Sequence, residues 1–225
     1  MRELLPISLL GGILGLDVVT FPQSMISRPL VAGTVAGAFV GDATTGVLVG
    51  ATLELIALAT LPFGASRYAE WGSSAVVGGA IAAALHTGRA GALTIGVLAA
   101  LATAWVSGWS LVKLRQWNAW LARRKRPALD AGARGTVIGL QLAGLTADFV
   151  PAALLTAIAY GLLFPVAHAT VGVWSFGDHV SRAVVVTISG AVAAAAAWTI
   201  FHSARHARWY FAAGLAGGLL LLFAR

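Results

Sequence analysis

Long apolar runs divide this chain, and the polar residues that interrupt them are unevenly placed. Residues 90–112 carry no charge and predict one membrane helix. Residues 183–204 predict another, and 209–224 a short last one. Residues 149–177 are also free of charged side chains but contain Pro151 and Pro165. That pattern predicts one helix followed by a turn outside the membrane, because proline removes a backbone donor. Residues 71–88 predict a shorter helix built of small residues: Ala75, Gly78, Gly79, Ala80, Ala82, Ala83 and Ala84. The first 70 residues differ. Their apolar runs are broken by Asp17, Asp42, Glu54 and Arg67, and by Pro22, Pro29 and Pro62. Few are long enough to span alone. Irregular or re-entrant backbone at membrane depth is tolerated only where it is buried in protein or lines a cavity, and such broken segments mark transporter binding sites.

Composition sharpens this into a class. Of 225 residues, 59% are hydrophobic and only 10% charged, against roughly 25% charged in a soluble domain. The expectation is an all-α, polytopic integral membrane protein. It has about six to seven hydrophobic helical segments at ~20 residues per span, forming one unit over residues 1–225. Residues 1–70 are read as the functional part and residues 135–225 as scaffold. No separate soluble domain is expected, so any energy-supplying unit belongs to another chain. The first span is expected to stay uncleaved, since Met1-Arg2-Glu3-Leu4-Leu5-Pro6 lacks the marks of a signal peptide.

The net charge of +7 does not point to nucleic acid. Lys113, Arg115, Arg123, Arg124, Lys125, Arg126 and Arg134, with Asp130, give residues 113–134 a net +6. A single basic connection between apolar spans is what the positive-inside rule expects on the cytoplasmic side. Leu114, Trp117, Trp120 and Leu121 share a helical face within it, which suits a helix lying in the bilayer interface. With no cysteine in the chain, disulfides and thiolate chemistry are excluded.

Glycines recur every fourth residue at Gly33, Gly37 and Gly41, then at Gly46 and Gly50. This is the small-residue stripe that lets another helix come close. The stripe lies inside a larger constellation. Arg28-Pro29-Leu30 is followed by Gly41-Asp42-Ala43-Thr44-Thr45-Gly46. Next come Ala51-Thr52-Leu53-Glu54-Leu55-Ile56-Ala57-Leu58, and then Pro62-Phe63-Gly64-Ala65. In order and spacing these resemble the His-Arg-Pro-Leu, Gly-Asp-x-x-Thr-Gly, Gly-Thr-Leu-Glu and Asn-Ile-Gly-Ala elements of a known group. That group is the membrane IIC components of the mannose/fructose/sorbose family of phosphotransferase-system sugar transporters. Ser27 stands at the family's histidine, Gln23 at its acidic or amide position, Pro62 at its asparagine, and Glu70 at a later acid.

The resemblance implies a channel subunit in a bacterial plasma (inner) membrane that passes a hexose or related sugar. It implies a IID-like membrane subunit and cytoplasmic IIA and IIB phosphocarriers as partners, an oligomeric assembly, no cofactor, and no phosphorylated residue or catalysis in the chain itself. A non-transporting regulatory or assembly protein that retains the IIC scaffold is the alternative. A membrane enzyme acting on lipid would need a concentrated constellation that eight scattered acids do not supply.

Glu54 leads the candidates, because an acid in hydrocarbon is functional by default. It is read as a sugar ligand, or else as a structural acid paired with Arg28. Gln23 either binds sugar or satisfies broken-helix backbone. Phe63, Gly64 and Ala65 either let backbone approach the sugar or form a plain turn. Asp42 and Thr45 read as a helix cap, and Arg28 as a partner of Asp42, Glu54 or a headgroup. Glu70 and Arg67 are read as surface charges. His202 and His206 share a helical spacing, but Arg205 and Arg208 beside them oppose a metal cation.

Overall fold

The computed structural model describes residues 3–17, 20–60, 69–86 and 90–223, so Pro62, Phe63, Gly64, Ala65 and Arg67 lie outside the described residues. The described chain is all-α, with eight helices. They are α1 (Leu4–Leu16), α2 (Pro29–Val40), α3 (Ala43–Ala57, extended by a 3₁₀ turn at Leu58–Thr60), α4 (Gly72–Leu85), α5 (Ala92–Asp130), α6 (Arg134–Gly172), α7 (Asp178–Phe201) and α8 (Ala207–Phe223). Four segments are long and apolar enough to cross a membrane: residues 43–60, α5, α6 and α7. The helices α1, α2 and α4 are apolar but have only 13, 12 and 14 residues. At 1.5 Å per residue each covers about 20 Å of a hydrocarbon core roughly 30 Å thick. Apart from residues 43–60, the helices of the N-terminal third are therefore too short to span alone.

Glycine packing explains how so short a set holds together. Added side chains at Gly33 and Gly37 would meet the backbone of Gly46 and Gly50 at 2.6–3.1 Å, so α2 and α3 touch backbone to backbone. A side chain at Gly79 on α4 would meet the Gly33 carbonyl at 2.6 Å. The stripe thus seats α2 against two helices of its own chain. Gly41 is not part of it. At φ 106° it ends α2 in the left-handed conformation, with its amide on the Gly37 and Ala38 carbonyls, and open space surrounds its Cβ position.

Helix α4 is buried nearly all round, as its small apolar residues require. It packs on α2, α3 and α5, while α1 lies along α6. Gly78 of α4 and Gly96 of α5 face each other in the same close manner. By contrast, Leu154, Ile158, Leu162, Val166, Val184, Ile188, Leu215 and Leu219 turn outward from α6, α7 and α8.

Residues 113–134, expected as a basic connection with an interfacial helix, are mostly helical: α5 runs through Pro127 to Asp130, and residues 131–133 turn the chain into α6. Leu, Ala, Arg, Lys and Trp fill that stretch and are adequate helix formers, so the charge does not end the helix. Residues 149–177 do hold one helix and then a turn, but proline does not place the turn: α6 passes through both Pro151 and Pro165 and ends at Gly172. Each proline forfeits one backbone bond, which neighbouring helices and side chains make tolerable in membrane helices.

Candidate functional site

The polar residues of the N-terminal third form separate clusters. The first is organised by Asp17, which is only 3% exposed at the end of α1. Its Oδ1 accepts from the Ser24 amide (2.6 Å) and hydroxyl (3.3 Å), and its Oδ2 from the Ser27 amide and hydroxyl (both 3.0 Å). One carboxylate thereby folds residues 20–28 into a fixed loop. Gln23 and Met25 sit in it with φ of 58° and 65°, a conformation rare for such residues. Gln23 is exposed there.

This loop delivers Arg28 to the start of α2, where Pro29 takes the first helical position. The Arg28 guanidinium pairs with Glu54 Oε1, and Glu54 Oε2 accepts from the Leu30 amide at 3.3 Å. Glu54 thus reaches back from α3 to the positive N-terminus of α2. The Arg28 and Glu54 side chains remain 45% and 21% exposed. Of the roughly four acceptor positions of a carboxylate, two are used, so Glu54 keeps capacity for hydroxyl donors.

Asp42 and Thr45 belong to a different place. Asp42 precedes α3, accepting from the Thr45 amide (3.0 Å) and hydroxyl (2.6 Å). It also meets His86 Nδ1 at 2.9 Å. The chain of contacts continues through His86 Nε2 to Arg182 (3.4 Å) and from Arg182 to Asp178 (2.7 Å). The Thr45 hydroxyl and amide, then His86, hold the Asp42 carboxyl below its ordinary range. Twelve residues of helix separate Asp42 from Glu54, about 18 Å along α3. Arg28 pairs with Glu54 and not with Asp42, and the Asp42 end is tied to α4 and α7.

A third cluster was not singled out from the sequence. Glu70, read above as a surface charge, is buried at 3% exposure. Its carboxylate accepts from the Ser73 amide (3.1 and 3.2 Å) and hydroxyl, which closes the start of α4. Asp148 on α6 is 4% exposed and accepts from the Thr20 hydroxyl. A signal existed: Asp148 is an acid within an otherwise apolar span, the same mark that drew attention to Glu54. Among the described residues no group of three or more His, Cys, Asp or Glu side chains is placed to hold a metal.

Comparison with known proteins bears on the whole chain. Residues 2–158 match the family described as "PTS system sorbose-specific iic component". The sorbose-specific EIIC component of the phosphotransferase system of Klebsiella pneumoniae is 36% identical over 77 residues, covering 34% of this chain and 27% of that protein. The chain therefore aligns with little more than a quarter of that relative's length. Among solved structures, one titled "Structure of membrane protein" superposes with a TM-score of 0.73 at 17% identity, covering 100% of this chain and 95% of the other. A chain of the mannose transporter ManYZ, solved in complex with microcin E492, gives a TM-score of 0.63 at 17% identity. That superposition covers 97% of this chain and 86% of the other. At such identity these two establish a shared fold.

Proposed function

The chain belongs to the sorbose-specific IIC family of phosphotransferase-system membrane components, and on that premise we propose that it is the sugar-translocating subunit of such a system. The observation that carries the reading is the Arg28–Glu54 pair. It is an ion pair left partly open beside a helix N-terminus, inside the segment that matches the family. A sugar offers adjacent hydroxyls, each both donor and acceptor, and this pair offers the complementary donor and acceptor side by side. We assign Glu54 as acceptor and Gln23 as a second contact on the Asp17-fixed loop. Phe63, Gly64 and Ala65, outside the described residues, complete the assignment as further sugar contacts. Arg28 holds Glu54 in place, and Asp42 with Thr45 fixes the far end of α3.

The chain has no part in phosphoryl transfer in this reading. IIA- and IIB-like carriers in the cytoplasm supply it, and a IID-like membrane subunit covers the apolar outer faces of α6, α7 and α8. The basic end of α5 faces the cytoplasm, where those carriers are. A regulatory role without transport remains the competing reading, and the same experiment separates the two.

The experiment is sugar uptake by cells expressing the chain with its neighbouring membrane subunit, comparing wild type with Glu54→Gln. The substitution keeps shape and loses charge-assisted hydrogen bonds worth about 1.5–3 kcal/mol each. Apparent affinity should fall about ten- to a hundredfold, with expression and assembly intact. Unaltered affinity in an assembled complex would remove Glu54 from the site. Absence of uptake by the wild-type complex for every hexose and amino sugar tried would favour the regulatory reading. If Glu54→Gln fails to assemble, sugar protection of Gln23→Cys from a thiol reagent decides.

A further inference from the structure

Between α1, α4, α5 and α6 lies a cavity of about 20 Å³, lined by Gly15, Glu70, Ser73, Ser107, Ser110 and Asp148 together with apolar residues. One water-sized occupant needs about 10–15 Å³ measured this way, so the space admits a single small guest. Two features of its wall call for one. Glu70 and Asp148 are both acids, both at least 96% buried, and among the described residues neither forms an ion pair. Two neighbouring carboxylates in low dielectric do not both stay ionised without a compensating charge. Independently, Ser107 is 3% exposed and its Oγ has no hydrogen-bond partner among the described residues. A buried polar atom left unsatisfied costs about 1–3 kcal/mol, so a buried, unpartnered hydroxyl lining this cavity beside two carboxyl groups marks a place where something binds.

We propose that this cavity is a site for one monovalent cation, H⁺ or Na⁺, held by Glu70 and Asp148 with the Ser107 hydroxyl as a further ligand. The surroundings agree. The Ser73 hydroxyl is already given to Glu70 and the Thr20 hydroxyl to Asp148, which leaves Ser107 available. The packed elements also carry Asp17 at the end of α1 and Lys113 on α5. Asp17 is satisfied by Ser24 and Ser27. Lys113 lines an adjoining apolar cavity and not this one. Neither supplies the missing positive charge. The site joins four helices, including the end of α1 next to the Asp17 loop, so its occupancy is set to influence how that loop is held.

The test is thermal unfolding of the purified full chain in detergent. Na⁺ replaces choline at constant ionic strength, at several pH values, alongside infrared spectra of the carboxyl region. A Na⁺ site gives a melting temperature that rises saturably with Na⁺ and not with choline. A proton site gives one that rises as pH falls in choline alone, with a protonated-carboxyl band at neutral pH. Asp148→Asn removes whichever dependence is found, while Asp130→Asn, on the exposed end of α5, keeps it. Ser107→Ala weakens Na⁺ half-saturation about tenfold, the size of one lost ligand contact, or shifts the pH midpoint. A response flat to both cations with no carboxyl band means that the cavity holds only water, and overturns the proposal. So does a dependence that survives Asp148→Asn. If Asp148→Asn does not fold, Ser107→Ala decides, since its hydroxyl has no hydrogen-bond partner among the described residues. An unchanged half-saturation and midpoint in that variant then overturns the site.

Discussion

Gly37→Ala tests the close packing on which the whole N-terminal third depends. A Cβ at this position would lie 2.6 Å from Gly46 Cα, 2.7 Å from the Asp42 carbonyl and 2.8 Å from the Gly46 amide nitrogen. Ordinary contact begins at 3.4 Å, so α2 and α3 must part by about 0.8 Å. All three neighbours are backbone, and none can rotate away as a side chain would. A gap of 0.5–1 Å forfeits about a quarter to a half of the dispersion well for each pair it opens, and overpacking of this kind costs about 1–3 kcal/mol. Alanine returns up to about 1 kcal/mol of helix propensity, so a net loss of about 1–2 kcal/mol is expected. For a chain of this size that is a drop of roughly 2–8 °C in melting temperature, read by thermal unfolding of the solubilised protein. Gly139→Ala on α6 is the control. It has nothing within 4 Å of its Cβ position and should be neutral or slightly stabilising. Equal melting temperatures for Gly37→Ala and wild type would refute the backbone-contact reading. So would an equal fall in Gly139→Ala, which would attribute the effect to losing glycine anywhere.

Asp42→Ala removes the carboxylate that accepts from the Thr45 amide and hydroxyl, and should cost about 1 kcal/mol in unfolding while leaving sugar affinity unchanged. The same cap carries a pH signature. Because the folded Asp42 carboxyl is held below its ordinary value of 3.8, its contribution is complete above that value and is lost as pH falls through the lowered one. Ser27→Ala deletes one of the two donors to Asp17 Oδ2 and should loosen the loop, read as faster labelling of Gln23→Cys in the absence of sugar. Asn118→Cys, placed on the basic half of α5, should resist an impermeant thiol reagent in intact cells and react after the membrane is opened. Labelling in intact cells would invert the topology.

The sequence made the helices legible wherever an apolar run ended at a charge or a turn, and α4 was legible from its small residues alone. Periodicity also exposed the glycine stripe, but not what it faces, because a close-approach surface is the same whether the neighbour is α3 or another chain. Gly41 continued the count of four and yet serves as a cap, since spacing cannot show where a helix stops. The extent of α5 was hidden by charge. Seven cations marked a separate interfacial helix rather than a continuation of the span, although Ala, Leu and Arg sustain a helix as well outside the membrane as within it. At the site, Arg28 and Glu54 were each visible as misplaced charges, and their pairing stood as one of several alternatives. The binding of Asp17 to Ser24 and Ser27 was not visible, because small hydroxyl residues in a broken segment carry no partner information. Glu70 and Asp148 are 78 positions apart. Only the packing of α1, α4, α5 and α6 makes one cavity of them.

The polar clusters differ in how readily they can exchange a partner, and that difference favours Arg28–Glu54 as the sugar contact. An ion pair as exposed as this one contributes about 0–1 kcal/mol. A hydroxyl that inserts between guanidinium and carboxylate accepts from one and donates to the other, so little is lost when the pair opens. Asp17 is the opposite case. Both of its oxygens are filled by four local donors in a buried place, and trading any of them for sugar strands a Ser24 or Ser27 group at about 1–3 kcal/mol. Asp42 is likewise committed to Thr45 and His86. The fold therefore spends its saturated acids on fixing the loop before α2 and the start of α3. It leaves Glu54 partly open at the start of α2, where a small displacement of α2 against α3 would change the separation of Arg28 and Glu54. Backbone-to-backbone packing at Gly33, Gly37, Gly46 and Gly50 restrains that displacement, which connects the stability of the glycine contact to the geometry of the proposed sugar site.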